Sequence, residues 1–82
     1  MAYDQTVKDL TLMLLYLTSW TEKVPYDYQR SWKGYDFDVL NELADEGSIN
    51  DSKRAKSVVV YEDGVIRAKD LLAKYGLESL AN

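Results

Sequence analysis

The stretch 35–49, YDFDVLNELADEGSI, admits little other than a short amphipathic helix with its own start and stop. Asp36 suits the N-cap, because its short carboxylate accepts a hydrogen bond from an N–H that the first turn leaves without a partner. Phe37, Leu40, Ala44 and Gly47 recur at helical spacing, and Val39 and Leu43 widen the apolar stripe. Asp38, Asn41, Glu42, Asp45 and Glu46 take the opposite face. Gly47 fits the position just past the helix, where a left-handed backbone disfavours a Cβ. Ile49 then returns an apolar side chain to the core.

Upstream, a helix is expected over residues 4–20, capped by Asp4 or Thr6. Val7, Leu10, Leu14 and Leu17 form one stripe. Leu12, Met13, Leu15 and Tyr16 leave little of the circumference polar. Two placements are open for Leu12 and Leu15: under the later aromatics, or against a second copy of the chain, since large apolar patches seldom stay exposed. A homodimer would use Leu12, Leu15 and Tyr16 with Leu71 of the last helix. Pro25 can start a further short helix over 26–33, ended by Gly34. Tyr26, Tyr28, Trp32 and Tyr35 either lie over the edge of the core or form a contact surface. Arg30 and Lys33 flank Trp32, and Trp, Tyr and Arg dominate binding hot spots.

Downstream, residues 49–61 read as a β-hairpin. Asn50, Asp51 and Ser52 favour a turn. Lys53, Arg54 and Lys56 are the densest positive cluster in the chain, and Val58, Val59, Val60 and Tyr61 are strand formers. Alternation puts Val58 and Val60 on one side and Val59 and Tyr61 on the other. Glu62 and Asp63 open a last helix with a Val65, Ala68, Leu72, Tyr75 stripe flanked by Leu71. Gly76 ends that helix, Leu77 folds back on it, and residues 79–82 form a frayed tail.

With 82 residues the chain is expected to be a single domain over 1–82, and its 46% hydrophobic content argues for a packed core. It has no His and no Cys, so the usual general base and thiol nucleophile are missing and no catalytic residue is expected. Asp27, Asp36 and Asp38 do not have calcium-loop spacing, so no metal site and no cofactor are expected. No signal peptide is apparent, which points to the cytoplasm. Leu10–Leu17 is far short of the roughly 20 apolar residues of a membrane span. The net charge of −4 disfavours a general nucleic-acid coat.

These elements make an α+β chain, mostly α: helix, short helix, helix, β-hairpin, helix. The run LNELADEGSI, a basic turn, then VVVYEDGVIRAKDLL resembles the winged-helix domains of MarR-like and PadR-like transcription regulators. Leu40, Leu43, Gly47, Ile49, Val60, Gly64 and Ala68 take the matching positions. LTLMLLYLTSW and WKGYDFDVLNELADEG are also similar to a small bacterial family of uncharacterised winged-helix-like proteins. The resemblance implies a winged helix whose hairpin is the wing and whose job is duplex DNA binding in transcription. Lys53, Arg54 and Lys56, extended by Arg30 and Lys33, would then contact phosphates, with Asn41 reading a base edge. Asp38, Glu42, Asp45 and Glu46 put four carboxylates on the same helix as Asn41. The alternative is therefore an interaction module that takes a protein through the acidic helix or the aromatic segment.

Overall fold

The computed structural model describes residues 5–23, 28–52 and 54–80, with Tyr28 given by its backbone. Among these, the order is α1 (Gln5–Leu17), β1 (Trp20–Glu22), β2 (Tyr28–Trp32), α2 (Phe37–Asp45), β3 (Ile49–Asn50), β4 (Ser57–Val60), α3 (Glu62–Lys74) and a 3-10 turn over Glu78–Leu80. The fold is α+β, with three helices and one four-stranded antiparallel sheet in the order β1-β2-β4-β3. Pro25, Tyr26, Asp27 and Lys53 lie outside the described residues.

Residues 28–32 are a strand, not part of the short helix expected over 26–33. The reason lies in β4. Strand β3 pairs only with Val59 and Val60 of β4, through Asn50 and Ile49. Ser57 and Val58 would be left with unpaired backbone on both sides. Strand β2 pairs along the whole of β4, Gln29 to Val60 and Trp32 to Ser57 at its ends. A short run with rings at both ends then gains a full ladder, which outweighs a weak local preference for helix. Strand β1 extends the sheet by pairing Trp20 with Arg30 and Glu22 with Tyr28.

One face of the sheet meets the helices. Ser31, Ile49, Val58 and Val60 are buried there. The Thr18 hydroxyl donates to Leu14 O (2.7 Å) and lies 3.2 Å from Ser31 Oγ, so the buried serine is satisfied by donating to Thr18. The domain measures 34 × 33 × 19 Å. Its short dimension holds one helical layer of about 10 Å and one sheet, which leaves the other sheet face uncovered by the described chain.

α2 behaves as its caps require. Asp36 accepts from Asp38 N–H at 2.9 Å, and Gly47 has φ +80°. Ser48 N–H closes the end by donating to Leu43 O. The buried side is Val39, Leu40 and Leu43, and Phe37 points outward with 74% of its surface exposed. The helix is rotated from the expected stripe because Glu42 and Glu46 turn toward cations on α1 and α3. Leu40 has no exposed surface. Leu40→Ala is expected to lower the unfolding free energy by about 2–5 kcal/mol, read by urea denaturation, because it leaves a cavity. An unchanged midpoint would contradict this core.

α1 corrects the sequence reading most. Leu12 and Leu15 are fully buried with Met13, while Val7, Leu10 and Leu14 are exposed. Leu71 is also buried, and Tyr16 is half-buried against the same cluster. Leu12, Leu15 and Leu71, enclosed within one chain, have no surface to offer a second copy, whereas half-buried Tyr16 keeps part of its surface. Both sides of α1 are apolar, and hydrophobicity cannot choose between them. The neighbours decide: Lys8 and Asp9 flank the Leu12 side and find opposite charges on α2 and α3.

Tyr61 is the N-cap of α3, with no capping bond from its side chain, and the helix carries Glu62 and Asp63 in its first turn and Lys74 in its last. Gly64, Ala68, Leu71 and Leu72 are its buried side, and Tyr75 is exposed. Gly76 has φ +72°, and Leu77 N–H folds back onto Leu72 O at 2.7 Å. Residues 79 and 80, expected in a frayed tail, belong to the 3-10 turn.

Candidate interaction surfaces

Three features carry chemistry. The first is the uncovered sheet face. Alternation along β2 puts Arg30 and Trp32 on it, with Val59, Ser57 and Asn50 beside them and Trp20 across from Arg30. Trp20 and Trp32 lie with ring centroids 4.9 Å apart and planes tilted by 44°. Trp32 remains 64% exposed. The Arg30 guanidinium lies along the sheet, donating from Nε (2.9 Å) and Nη2 (2.8 Å) to Ser57 Oγ. That contact covers Ser57 and orients the arginine beside the indoles. Arg30 was expected on phosphates with the hairpin; its side chain instead sits on the sheet.

The second feature is a cleft of about 480 Å³ between α2 and the end of the sheet, lined by Lys33, Phe37, Asn41 and Asp51. Lys33 N–H bonds to Lys56 O, so the two lysines are neighbours along the strands. Their charges do not add. Lys33 Nζ donates to Asp51 Oδ1 and to Ser52 O, both at 2.8 Å, and ties β2 to the β3–β4 loop. Asn41 is exposed beside this pair, on the same helix as exposed Asp38 and Asp45. Arg54 and Lys56 are exposed on the loop. The expected basic patch is thus divided: Arg30 on the sheet, Lys33 joined to a carboxylate, Arg54 and Lys56 at the loop.

The third feature is a charge network joining the helices. Lys8 Nζ bonds Glu46 Oε2 and lies 3.5 Å from Glu42 Oε1. Arg67 reaches Glu46 at 2.9 Å and Asp9 at 3.8 Å. Two of the four carboxylates expected to face solvent on α2 are therefore neutralised within the chain. Partial burial works against the charged form of Glu46. The hydrogen bond from Lys8, the Lys8 charge and Arg67 together outweigh it, so its pKa lies below the ordinary 4.5. The hydrogen bond to Glu46 and the charges of Glu46 and Glu42 outweigh desolvation at Lys8 and hold its pKa above 10.5.

A carboxylate whose pKa is lower folded than unfolded adds stability above its unfolded pKa, and that stability is lost as pH falls through the folded value. Wild type and Glu46→Gln are therefore expected to differ in urea midpoint near neutrality and to converge below pH 4.5. A constant gap across that range would contradict the network. Lys8 acts at the other limit: its share is lost as pH rises past 10.5 toward its folded value.

Trp32, Arg30 and Lys33, expected on a helical turn, lie on or just past β2 instead. The period-two alternation of Arg30 and Trp32 with Gln29, Ser31 and Lys33 was the available signal for a strand with one aromatic, basic face. The Trp20–Trp32 contact needs the β1–β2 register and had no local signal.

These features define a small two-layer α+β domain with helices on one sheet face and an aromatic, arginine-bearing second face. Residues 3–78 match the family described as a domain of unknown function, DUF6429, and the chain belongs to that family. No curated protein and no solved structure matches the chain. No helix among the described residues is long and apolar enough to cross a membrane.

Proposed function

We propose that this domain is a non-enzymatic, cytoplasmic protein-interaction module whose binding surface is the open sheet face around Trp20, Trp32 and Arg30. One observation carries the reading: Trp32 is 64% exposed on a sheet face that no described element covers. An exposed indole held in place by a second indole offers a large contact area with little side-chain entropy left to lose. Trp and Arg are the residue types that concentrate binding energy at interfaces.

The test is site-specific photocrosslinking in the native cells. A benzoylphenylalanine at Asn50, exposed on the same sheet face, should give protein adducts that Trp32→Ala removes. The same probe at Ile66, exposed on α3, should give none of them. Adducts indifferent to Trp32→Ala would sink the reading.

Duplex DNA is the second reading, as a regulator of the MarR-like or PadR-like winged-helix kind with β3–β4 as its wing. Exposed Arg54 and Lys56 favour it. Lys53 completes that cluster in the sequence, and α2 would present Asn41. Against it, Asp38 and Asp45 are exposed on α2 and Asp51 occupies Lys33. Each phosphate contact contributes about 0.9 to the slope of log affinity against log salt, so binding would be strongest at low salt. Duplex binding at low salt that Lys53→Ala/Arg54→Ala/Lys56→Ala weakens would replace the protein reading.

Self-association has a different surface from the one first expected. Val7, Leu10 and Leu14 follow the three-then-four spacing of a coiled-coil seam and are exposed. The two charged residues of α1, Lys8 and Asp9, turn inward. This neutral strip is where two copies of an acidic chain can approach without repulsion. Leu14→Glu is expected to shift the light-scattering mass from dimer to monomer at micromolar concentration. A wild-type mass that stays monomeric on concentration would sink the dimer.

A further inference from the structure

We infer that the cleft between α2 and the end of the sheet binds an unpaired adenine ring, carried as a free base or a nucleoside. This site is independent of the open sheet face. Trp32 belongs to that face, and alternation puts the next residue, Lys33, on the helix side of the sheet. The same alternation separates Asp51 from Asn50. The cleft holds about 480 Å³, within the roughly 300–1,000 Å³ of small-molecule sites. Phe37 lines it, and the rotation of α2 leaves that ring 74% exposed.

Phe37 and Asn41 are four residues apart on α2, so their side chains are neighbours, about 5–6 Å apart at Cβ. The exposed phenyl ring offers a face on which a flat ligand stacks. The Asn41 amide is also exposed and has no partner among the described residues. It presents N–H donors and a carbonyl acceptor side by side. Its complement is a ring edge with one acceptor next to one donor. Ring nitrogen N7 of adenine and the adjacent exocyclic amino group form such an edge, and asparagine pairs with both at once. Guanine shows two acceptors there and calls for a free lysine or arginine instead.

Charge narrows the class further. Lys33, the cation of the lining, is committed: its Nζ donates to Asp51 Oδ1 and to Ser52 O, both at 2.8 Å. The side chains of the pair are only 15% and 9% exposed, so the lining carries no net charge. Arg54 and Lys56 are on the loop, outside the lining. Asp38 and Asp45 are exposed three residues before and four residues after Asn41, and they flank it on the same helix surface. Such a site has no free cation for a phosphate, so its occupant is a base or a nucleoside and not a nucleotide. A paired base does not suit it either, since a duplex keeps the faces stacked and leaves only an edge for Asn41.

The experiment is a titration of the isotope-labelled whole chain with adenosine, followed in amide correlation NMR spectra. Purine riboside, which lacks the exocyclic amino group, and adenosine monophosphate are titrated alongside. Adenosine should shift the side-chain amide of Asn41 and the backbone signals of Lys33, Phe37 and Asp51 saturably. Purine riboside should bind about tenfold more weakly. Asn41→Ala should bring the two nucleosides to the same weak affinity, and Phe37→Ala should weaken adenosine by about tenfold or more. Both residues are exposed, so the variants should keep the fold, and the dispersion of the same spectra checks this. Ile66→Ala, exposed on α3, should leave binding unchanged. No saturable shift at millimolar adenosine, equal affinity of the wild type for the two nucleosides, or binding unaffected by Phe37→Ala would each overturn the proposal. Tighter binding of adenosine monophosphate than of adenosine would overturn it too, by marking the cleft as an anion site. The adducts at position 50 report the sheet face alone, so either reading can fail without the other.

Discussion

Leu15→Glu is expected to unfold the domain, whereas Leu14→Glu, one residue earlier, is expected to leave it folded. Leu15 has no exposed surface and packs in the cluster of Leu12, Leu40, Leu43 and Leu72. A carboxylate there would have no cation and no water, so it must either stay charged at great cost or remain protonated and still lack hydrogen-bond partners. Burial of an unpaired charge falls in the small class of substitutions costing about 4 kcal/mol or more. That is most of the stability available to a chain this short. Leu14 is 46% exposed on the opposite side of α1, so a glutamate there reaches water. Thermal melts by circular dichroism separate the two. A cooperative Leu15→Glu transition near the wild-type temperature would show that α1 packs the other way round. The pair also separates stability from association: Leu14→Glu should change mass and not folding.

Gly64→Ala is expected to cost about 3 kcal/mol, at the upper end for overpacking. The first turn of α3 passes directly over the exit from α2. A Cβ built on Gly64 would lie 2.1 Å from Ser48 O and 3.0 Å from its carbonyl carbon. Both obstacles are backbone, so no side-chain rotation relieves them. The same carbonyl accepts the Tyr61 N–H at 3.0 Å, which fixes the start of α3. Accommodating a methyl would pull α3 off that carbonyl and loosen Ala68 and Leu72 from the core. Gly34→Ala is the matched control, since its Cβ would meet nothing within 4 Å. Urea denaturation should show a large drop in midpoint for Gly64→Ala and a small change for Gly34→Ala. Equal midpoints would mean that α3 and Ser48 are not in contact.

Gly64 is one of the positions on which the winged-helix resemblance rests, and it illustrates how a motif residue is read. Its spacing from Tyr61 was visible in the chain. Its role was not, because the obstacle is a carbonyl sixteen residues earlier. Nothing in the YEDG run tells a helix-opening glycine from one that lets two backbones touch.

What the chain determined by itself is local. Asp36, Gly47 and Gly76 place helix ends through a side-chain acceptor and two left-handed residues, and each acts over a few positions. The valine run 58–60 is a strand with Val58 and Val60 inward, because β-branched residues and period-two burial coincide there. Tertiary structure decided whatever had two locally equal answers. Both sides of α1 are apolar, and the choice of Leu12 and Leu15 as core followed from Lys8 and Asp9 meeting Glu42, Glu46 and Arg67. Phe37 could extend the stripe of α2, and rotation of that helix toward the same cations turned it out to solvent. Residues 28–32 could form a turn of helix, and the unpaired backbone of β4 drew them into the sheet. The candidate site is a product of that last choice. Trp20 and Trp32 are twelve residues apart in the chain, and they meet only because the β1–β2 register brings them to one face. Local periodicity reports which side chains share an element's face; it does not report which face the rest of the chain will cover.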